Sequence, residues 1–195
     1  MKLGIVIGSI RHGRVSDRLA KWVEAEARKL SETEVTMIDL LNYPMPLFNE
    51  AHSPQFNPNR TPEEHVKLFI DKIGECDAVI LVTPEYNRSY SSVLKNALDY
   101  LDFQLKHKPV MLVAHGSVGG AQAVSHLRGV IPGLTGITIP TAVMITGHLS
   151  SIIDEKGQLN SEVAKNPRGP LTSLTHALVD LKWYADALSA ARAKG

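Results

Sequence analysis

Short, unbroken apolar runs recur along this chain with amphipathic stretches between them, and that alternation restricts the fold more than any other feature. Leu3 to Ile7, Ala78 to Thr83 and Pro109 to Ala114 are almost wholly aliphatic. A strand with one wet face alternates apolar and polar residues, whereas a strand covered on both faces does not. These runs therefore predict buried strands, and Val35 to Leu40 and Thr141 to Ile145 read as two more. Between them, Ser16 to Leu30 places Leu19, Val23, Ala27 and Leu30 on one helical face. Thr61-Pro62-Glu63-Glu64 predicts a helix start, with Thr61 as cap, Pro62 in the first turn and Glu64 completing a capping box; Val66, Ile70 and Ile73 follow on one face. Further helices are predicted over Ser92 to Phe103, Gly120 to Val130 and Leu171 to Ala191. Residues 41–60 hold four prolines and four asparagines, which break any period, so they read as a long loop; residues 147–170 read as irregular.

Strand–helix alternation implies an α/β protein with a parallel sheet, helices on both faces and right-handed crossovers. No repeat or linker divides the sequence, so residues 1–195 are expected to form a single domain. The net charge of +1 provides no broad field for nucleic acid or anionic lipid. The apolar run at the start stops at Gly8-Ser9-Ile10-Arg11, too short for a signal h-region or a bilayer span. With Cys76 as the only cysteine, no internal disulfide is possible. A cytoplasmic protein, bound to neither membrane nor nucleic acid, is the expectation. In such a fold ligands sit beyond the carboxyl ends of the strands, which directs attention to the turns after the first, third and fourth strands.

The first of these turns reads Gly8-Ser9-Ile10-Arg11-His12-Gly13-Arg14-Val15-Ser16 and runs into a helix. A helix N-terminus offers unpaired N–H groups and partial positive charge, so it favours phosphate. Ser9 and Ser16 add hydroxyls, and Arg11, Arg14 and Arg18 add charge. The blander reading makes Ser16 a simple cap and the arginines solvated. Neither G-x-G-x-x-G nor G-x-x-x-x-G-K-[ST] is present. Asp39 stands where a dinucleotide fold places its ribose-binding acid; without the glycine fingerprint it reads as a loop or capping residue. The second turn, Thr83-Pro84-Glu85-Tyr86-Asn87-Arg88-Ser89-Tyr90, suits a flat heterocycle, with outward backbone groups and a tyrosine wall, or else is a plain surface turn. The third, His115-Gly116-Ser117-Val118-Gly119-Gly120, permits close backbone approach.

Three motifs in these turns, GSIRHGR with Ser16 and Arg18 following, TPEYNRS with LKNALDYL, and HGSVGGAQAVSHLR, resemble the NADPH-dependent FMN reductases, a family with related quinone, azo and chromate reductases. The resemblance covers about residues 1–145. It implies a flavodoxin-like three-layer sandwich whose five-stranded parallel sheet has the order 2-1-3-4-5. It implies FMN as cofactor, NADPH or NADH as co-substrate, a small-molecule electron acceptor, and a homodimer or homotetramer. By the same resemblance Ser9, Arg11, Val15, Ser16 and Arg18 surround the phosphate. Pro84, Glu85, Tyr86 and Asn87 contact the isoalloxazine, largely through backbone, and Ser117 and Gly119 line its other side. Arg14 is left open between solvent and the nicotinamide. The family often has Pro-Gly where this chain has Ser91-Ser92, which predicts a looser turn before the following helix. No residue need act as a catalytic acid or base, because the cofactor carries the chemistry.

Two other classes compete. An FMN-binding electron carrier or redox sensor would need the same site without nicotinamide turnover, but the arginines after strand one favour the reductases. Gly116-Ser117-Val118-Gly119 also resembles a nucleophile elbow, which would make Ser117 a hydrolase nucleophile with His176 as base and Asp154 or Glu155 as acid. His115 occupies the first small-residue position of that motif, and the acids fall in an irregular segment. The histidines form no metal pattern, and Trp22 and Trp183 read as packing residues.

Overall fold

Successive side chains of a strand point to opposite faces of its sheet, and this splits the apolar runs of the protein into two cores. A computed structural model describes residues 1–194. In β1 (Lys2–Ile7), Leu3, Ile5 and Ile7 join one core and Val6 the other. β3 (Ala78–Pro84) and β4 (Pro109–Gly116) divide likewise: Ile80, Val82, Met111 and Val113 on the first face, Val79, Leu81, Val110 and Leu112 on the second. Helices α1 (Ser16–Ala27) and α7 (Pro170–Arg192) cover the first face through Leu19, Val23, Leu174 and Leu178. Helices α2 (Glu64–Glu75), α3 (Ser92–Asp99) and α4 (Ala121–Gly133) cover the second through Phe69, Ile73, Leu94, Leu98 and Leu127. β2 (Glu34–Asp39) lies at one edge; β5 (Ile137–Thr138) and β6 (Val143–Thr146) share the other.

Every strand pairing is parallel and the order is 2-1-3-4-5, as the resemblance implies. The fifth position is filled in two pieces. β5 pairs with Pro109 and Val110, and β6 pairs with Val113 to Gly116 further along the same neighbour. Pro140 stands between them and has no N–H for the ladder. The order reverses between β1 and β3, so the turns after those strands flank the switch point where such sheets bind ligands.

Several boundaries differ from expectation. The second helix begins at Glu64, not Thr61, and no side chain caps it; Glu63 is extended, with ψ 156°, so Pro62 precedes the helix instead of entering it. Arg60 holds that approach as loop, since its guanidinium bonds the Glu50 carboxylate at 2.9 Å and the Tyr100 carbonyl at 2.5 Å. The first helix stops at Ala27, short of Leu30, and the third at Asp99, short of Phe103. Leu94, Leu98, Tyr100 and Leu101 all go into the monomer core, while Phe103 is half exposed. Residues 147–170 include two single-turn helices, α5 (Leu149–Ile152) and α6 (Ser161–Ala164). Trp22 packs in the core as expected, but Trp183 is 65 % exposed and meets Tyr184 edge-on.

Candidate active site

The turn after β1 is tied down from three directions. Gly8 N–H donates to the Val82 carbonyl at 2.8 Å, and the Ser91 hydroxyl donates to the Gly8 carbonyl. Buried Ser91 also accepts from Leu94 N–H, capping α3. The Ser91-Ser92 turn therefore fastens the third helix to the first turn and is not loose. Ser9, itself buried, exchanges a hydrogen bond with the Tyr86 hydroxyl at 2.9 Å, which joins the first turn to the second. The Arg11 guanidinium lies over the Tyr86 ring, 5.6 Å from its centre.

Arg14 does not reach into solvent, its side chain being 14 % exposed. It forms a two-point ion pair with Asp39 and donates to the Ser9 carbonyl at 2.6 Å. The bond to Asp39 raises the guanidinium pKa above its ordinary value. Asp39 also caps the short turn Leu40–Asn42 through Leu41 N–H, so it is the capping residue the sequence suggests, with an ion-pair role added. Arg18 leans toward Glu155, 3.2 Å away, on the surface formed by α1 and the 149–160 segment.

Val15 is the N-cap of α1, and no side chain caps that end. Among the described residues, the N–H groups of Ser16, Asp17 and Arg18 have no protein acceptor. Ser16 is not a cap. Its hydroxyl is buried and lies 2.9 Å from Nε2 of His115. Burial lowers the His115 pKa from 6.5 to about 4, with the nearby Arg11 charge assisting, so the ring is neutral at pH 7.

The turn after β3 closes as a tight reversal. Tyr86 and Ser89 exchange backbone hydrogen bonds of 2.8 and 3.0 Å, with Asn87 at φ 49° and Arg88 at φ 68°. Two positive φ values in the middle define a type I′ turn, which suits asparagine in the first position and glycine in the second. Pro84 is buried at the strand end, and Asn87 is exposed at the tip. Glu85 N–H donates to the His115 carbonyl at 2.8 Å, and the Glu85 carboxylate accepts from Gln122 N–H at 2.9 Å in the first turn of α4. A carboxylate is favoured there by the helix dipole.

The third turn needs its glycines. Gly119 and Gly120 have φ of 77° and 79°, and a Cβ on Gly120 would lie 2.5 Å from that of Ala114. Ser117 is exposed, and among the described residues its hydroxyl bonds no histidine; His176 is exposed on α7 and His115 is engaged with Ser16. The hydrolase geometry is therefore not assembled. Ser9, Arg11, Ser16, Glu85 and Tyr86 are brought into one connected cluster, with Ser117 and Gly119 on the turn that starts at His115. Arg18 is directed elsewhere. His115 escaped sequence analysis, although a polar ring ending an aliphatic strand signals a buried hydrogen bond.

A parallel sheet of this order, with an uncapped helix N-terminus beside two tight turns at the switch point, has the architecture of a nucleotide- or flavin-binding α/β protein. The model of the NADPH-dependent FMN reductase family matches residues 1–149, and the chain belongs to that family. It is 28 % identical over 184 residues to an NAD(P)H-dependent FMN reductase of Schizosaccharomyces pombe, covering 85 % of this chain and 92 % of the relative. It is 32 % identical to an FMN-dependent NADPH-azoreductase of Staphylococcus haemolyticus, covering 73 % and 76 %. With a 2-hydroxy-1,4-benzoquinone reductase from Burkholderia it shares 31 % identity, covering 83 % and 87 %. Among solved structures, the flavoenzyme NAD(P)H:acceptor oxidoreductase FerB of Paracoccus denitrificans superposes with a TM-score of 0.71 at 23 % identity, over 96 % of this chain and 97 % of that one. The protein is thus an FMN-dependent, NAD(P)H-dependent oxidoreductase by family.

Proposed function

We propose that this protein, acting as one domain over residues 1–195 in the cytoplasm, passes electrons from NADPH or NADH through bound FMN to a small acceptor such as a quinone, an azo compound, a free flavin or a metal ion. The observation that carries the proposal is the joining of the three strand-end turns by Ser9–Tyr86, Ser16–His115 and the Glu85 N–H bond to His115. The residues fit the cofactor. Unpartnered N–H groups at the start of α1, with Arg11 alongside, suit a phosphate dianion. Two-electron exchange is the chemistry FMN supplies when bound.

The work of the chain is binding and orientation. Val15, Ser16 and Arg11 would hold the phosphate, with Ser9 fixing the turn. Arg18 would join them only by leaving Glu155. Pro84, Glu85, Tyr86 and Asn87 would present a rigid backbone edge to the flavin ring, because the reversal and the Glu85 anchor at α4 leave that edge little freedom. Ser117 and Gly119 would border the ring's other side. No side chain is assigned as acid or base. Homo-oligomerisation is part of the proposal, and Leu47 and Phe56, each 82 % exposed, are apolar side chains of the 41–60 loop that an interface would cover.

The test is an absorbance spectrum of the FMN-loaded protein before and after anaerobic NADPH, followed by steady-state NADPH oxidation with a quinone or an azo dye. Bleaching of the flavin band and turnover are expected. Bound FMN that NADPH does not bleach would identify an electron carrier or sensor, and failure to bind FMN would remove the flavin reading altogether.

A further inference from the structure

Among the described residues His115 is the one buried imidazole, and flavin binding by the three turns leaves its ring without a task. Its Nε2 lies 2.9 Å from Ser16 Oγ, its carbonyl accepts from Glu85 N–H, and it ends the apolar part of β4. The ring stays neutral at pH 7, so it carries one N–H, and the serine hydroxyl carries one O–H. Only two arrangements of those hydrogens give a bond. If His115 is protonated on Nδ1, Ser16 donates to Nε2 and has only lone pairs left. If His115 is protonated on Nε2, it donates to Ser16, and the serine proton is free for another acceptor. Ser16 is buried, so water does not erase the difference.

We propose that His115 is the positioning residue that sets the polarity of Ser16: as the Nε2–H tautomer it turns the serine hydroxyl into a donor toward the phosphate held at the start of α1. The idea rests on the reading that FMN places its phosphate there. An anion at that point meets lone pairs in one tautomer and a proton in the other, so its binding and the Nε2–H tautomer favour each other. The phosphate thus gains a donor that the first turn alone does not supply. Discrimination follows: a ligand with the flavin ring but no phosphate gains nothing from His115.

The decisive measurement is 15N NMR of the His115 ring in the FMN-free protein, then with FMN, with riboflavin and with inorganic phosphate. Nε2–H is expected with FMN and with inorganic phosphate. A ring that stays in the Nδ1–H form with FMN bound overturns the proposal. Binding is followed in parallel by quenching of flavin fluorescence. Loss of one charge-assisted hydrogen bond predicts that His115→Leu weakens FMN about tenfold and leaves riboflavin unchanged. His115→Gln, whose amide N–H can reach Ser16, should restore most of the preference. In a Ser16→Ala background the His115→Leu effect should vanish. An equal loss for FMN and riboflavin, or a full effect without Ser16, would reduce His115 to a packing residue and overturn the inference. If wild-type protein binds riboflavin as tightly as FMN, the phosphate reading itself fails, a result distinct from the others.

Discussion

At the scale of single residues, the turns of the site spend most of their side-chain hydrogen bonds on one another and leave the N–H groups at the start of α1 unpaired. Arg14 is the clearest case. Asp39 and the Ser9 carbonyl occupy its fork, so this guanidinium shapes the turn and is not free for a ligand. His115 allows a sharper prediction. Its pKa falls from 6.5 in the unfolded chain to about 4 in the fold, so between these values the unfolded state binds the extra proton. Stability therefore rises with pH across that window and is lost as the solution is acidified through it. Across that window the loss amounts to about 3 kcal/mol. Denaturant melts of wild type and His115→Gln between pH 7 and pH 4 test this. The wild type should lose more stability on acidification than the variant, and parallel curves would mean that His115 does not titrate as burial demands.

Among the elements, the turns set the geometry and the strands hold it in register. Gly120 must keep φ near 79° and has no room for a Cβ against Ala114. Gly120→Ala should destabilise the protein by about 2–4 kcal/mol, combining left-handed strain with overpacking; a thermal melt within a degree of wild type would contradict it. Ser91 is subtler, since its hydroxyl both caps α3 and bonds the Gly8 carbonyl. Ser91→Ala should cost about 1–3 kcal/mol, and because Gly8 opens the first turn, FMN should bind more weakly too. Most elements were legible because buried parallel strands announce themselves as aliphatic runs, as in residues 78–83. The ends were less legible. The approach to α2 is held by Arg60 reaching Glu50, ten residues away, and Tyr100, forty residues away, and the second of these contacts exists only in the assembled fold. The break in the edge strand follows from Pro140, a local cue that the apolar pattern at 141–145 obscured. The turns of the site could be found from their glycines, serines and arginines. Their partners could not, since Arg14 finding Asp39, or Ser16 finding His115 across 99 residues, depends on the assembled sheet.

For the whole molecule, the distances in sequence between those partners link FMN to folding. Ser9 and Tyr86 are 77 residues apart and Ser16 and His115 are 99 apart, so an unfolded chain holds no trace of the site. A ligand that binds only the folded state stabilises it by mass action, about 2.7 kcal/mol at a hundredfold excess over its dissociation constant. In a chain of 195 residues, that corresponds to a rise of about 5–11 °C in melting temperature. The rise should grow with the logarithm of FMN concentration beyond saturation. Riboflavin at the same concentration should give less, because it leaves the start of α1 and Arg11 without their anion. A chain that also associates through Leu47 and Phe56 adds a second dependence, on protein concentration, and Phe56→Glu should remove that dependence while leaving the FMN shift in place. Scanning calorimetry over a matrix of FMN and protein concentrations separates the two. Equal shifts from riboflavin and FMN would show that the phosphate contributes nothing, and the basic turn after β1 would then be a structural feature of the fold with no part in binding.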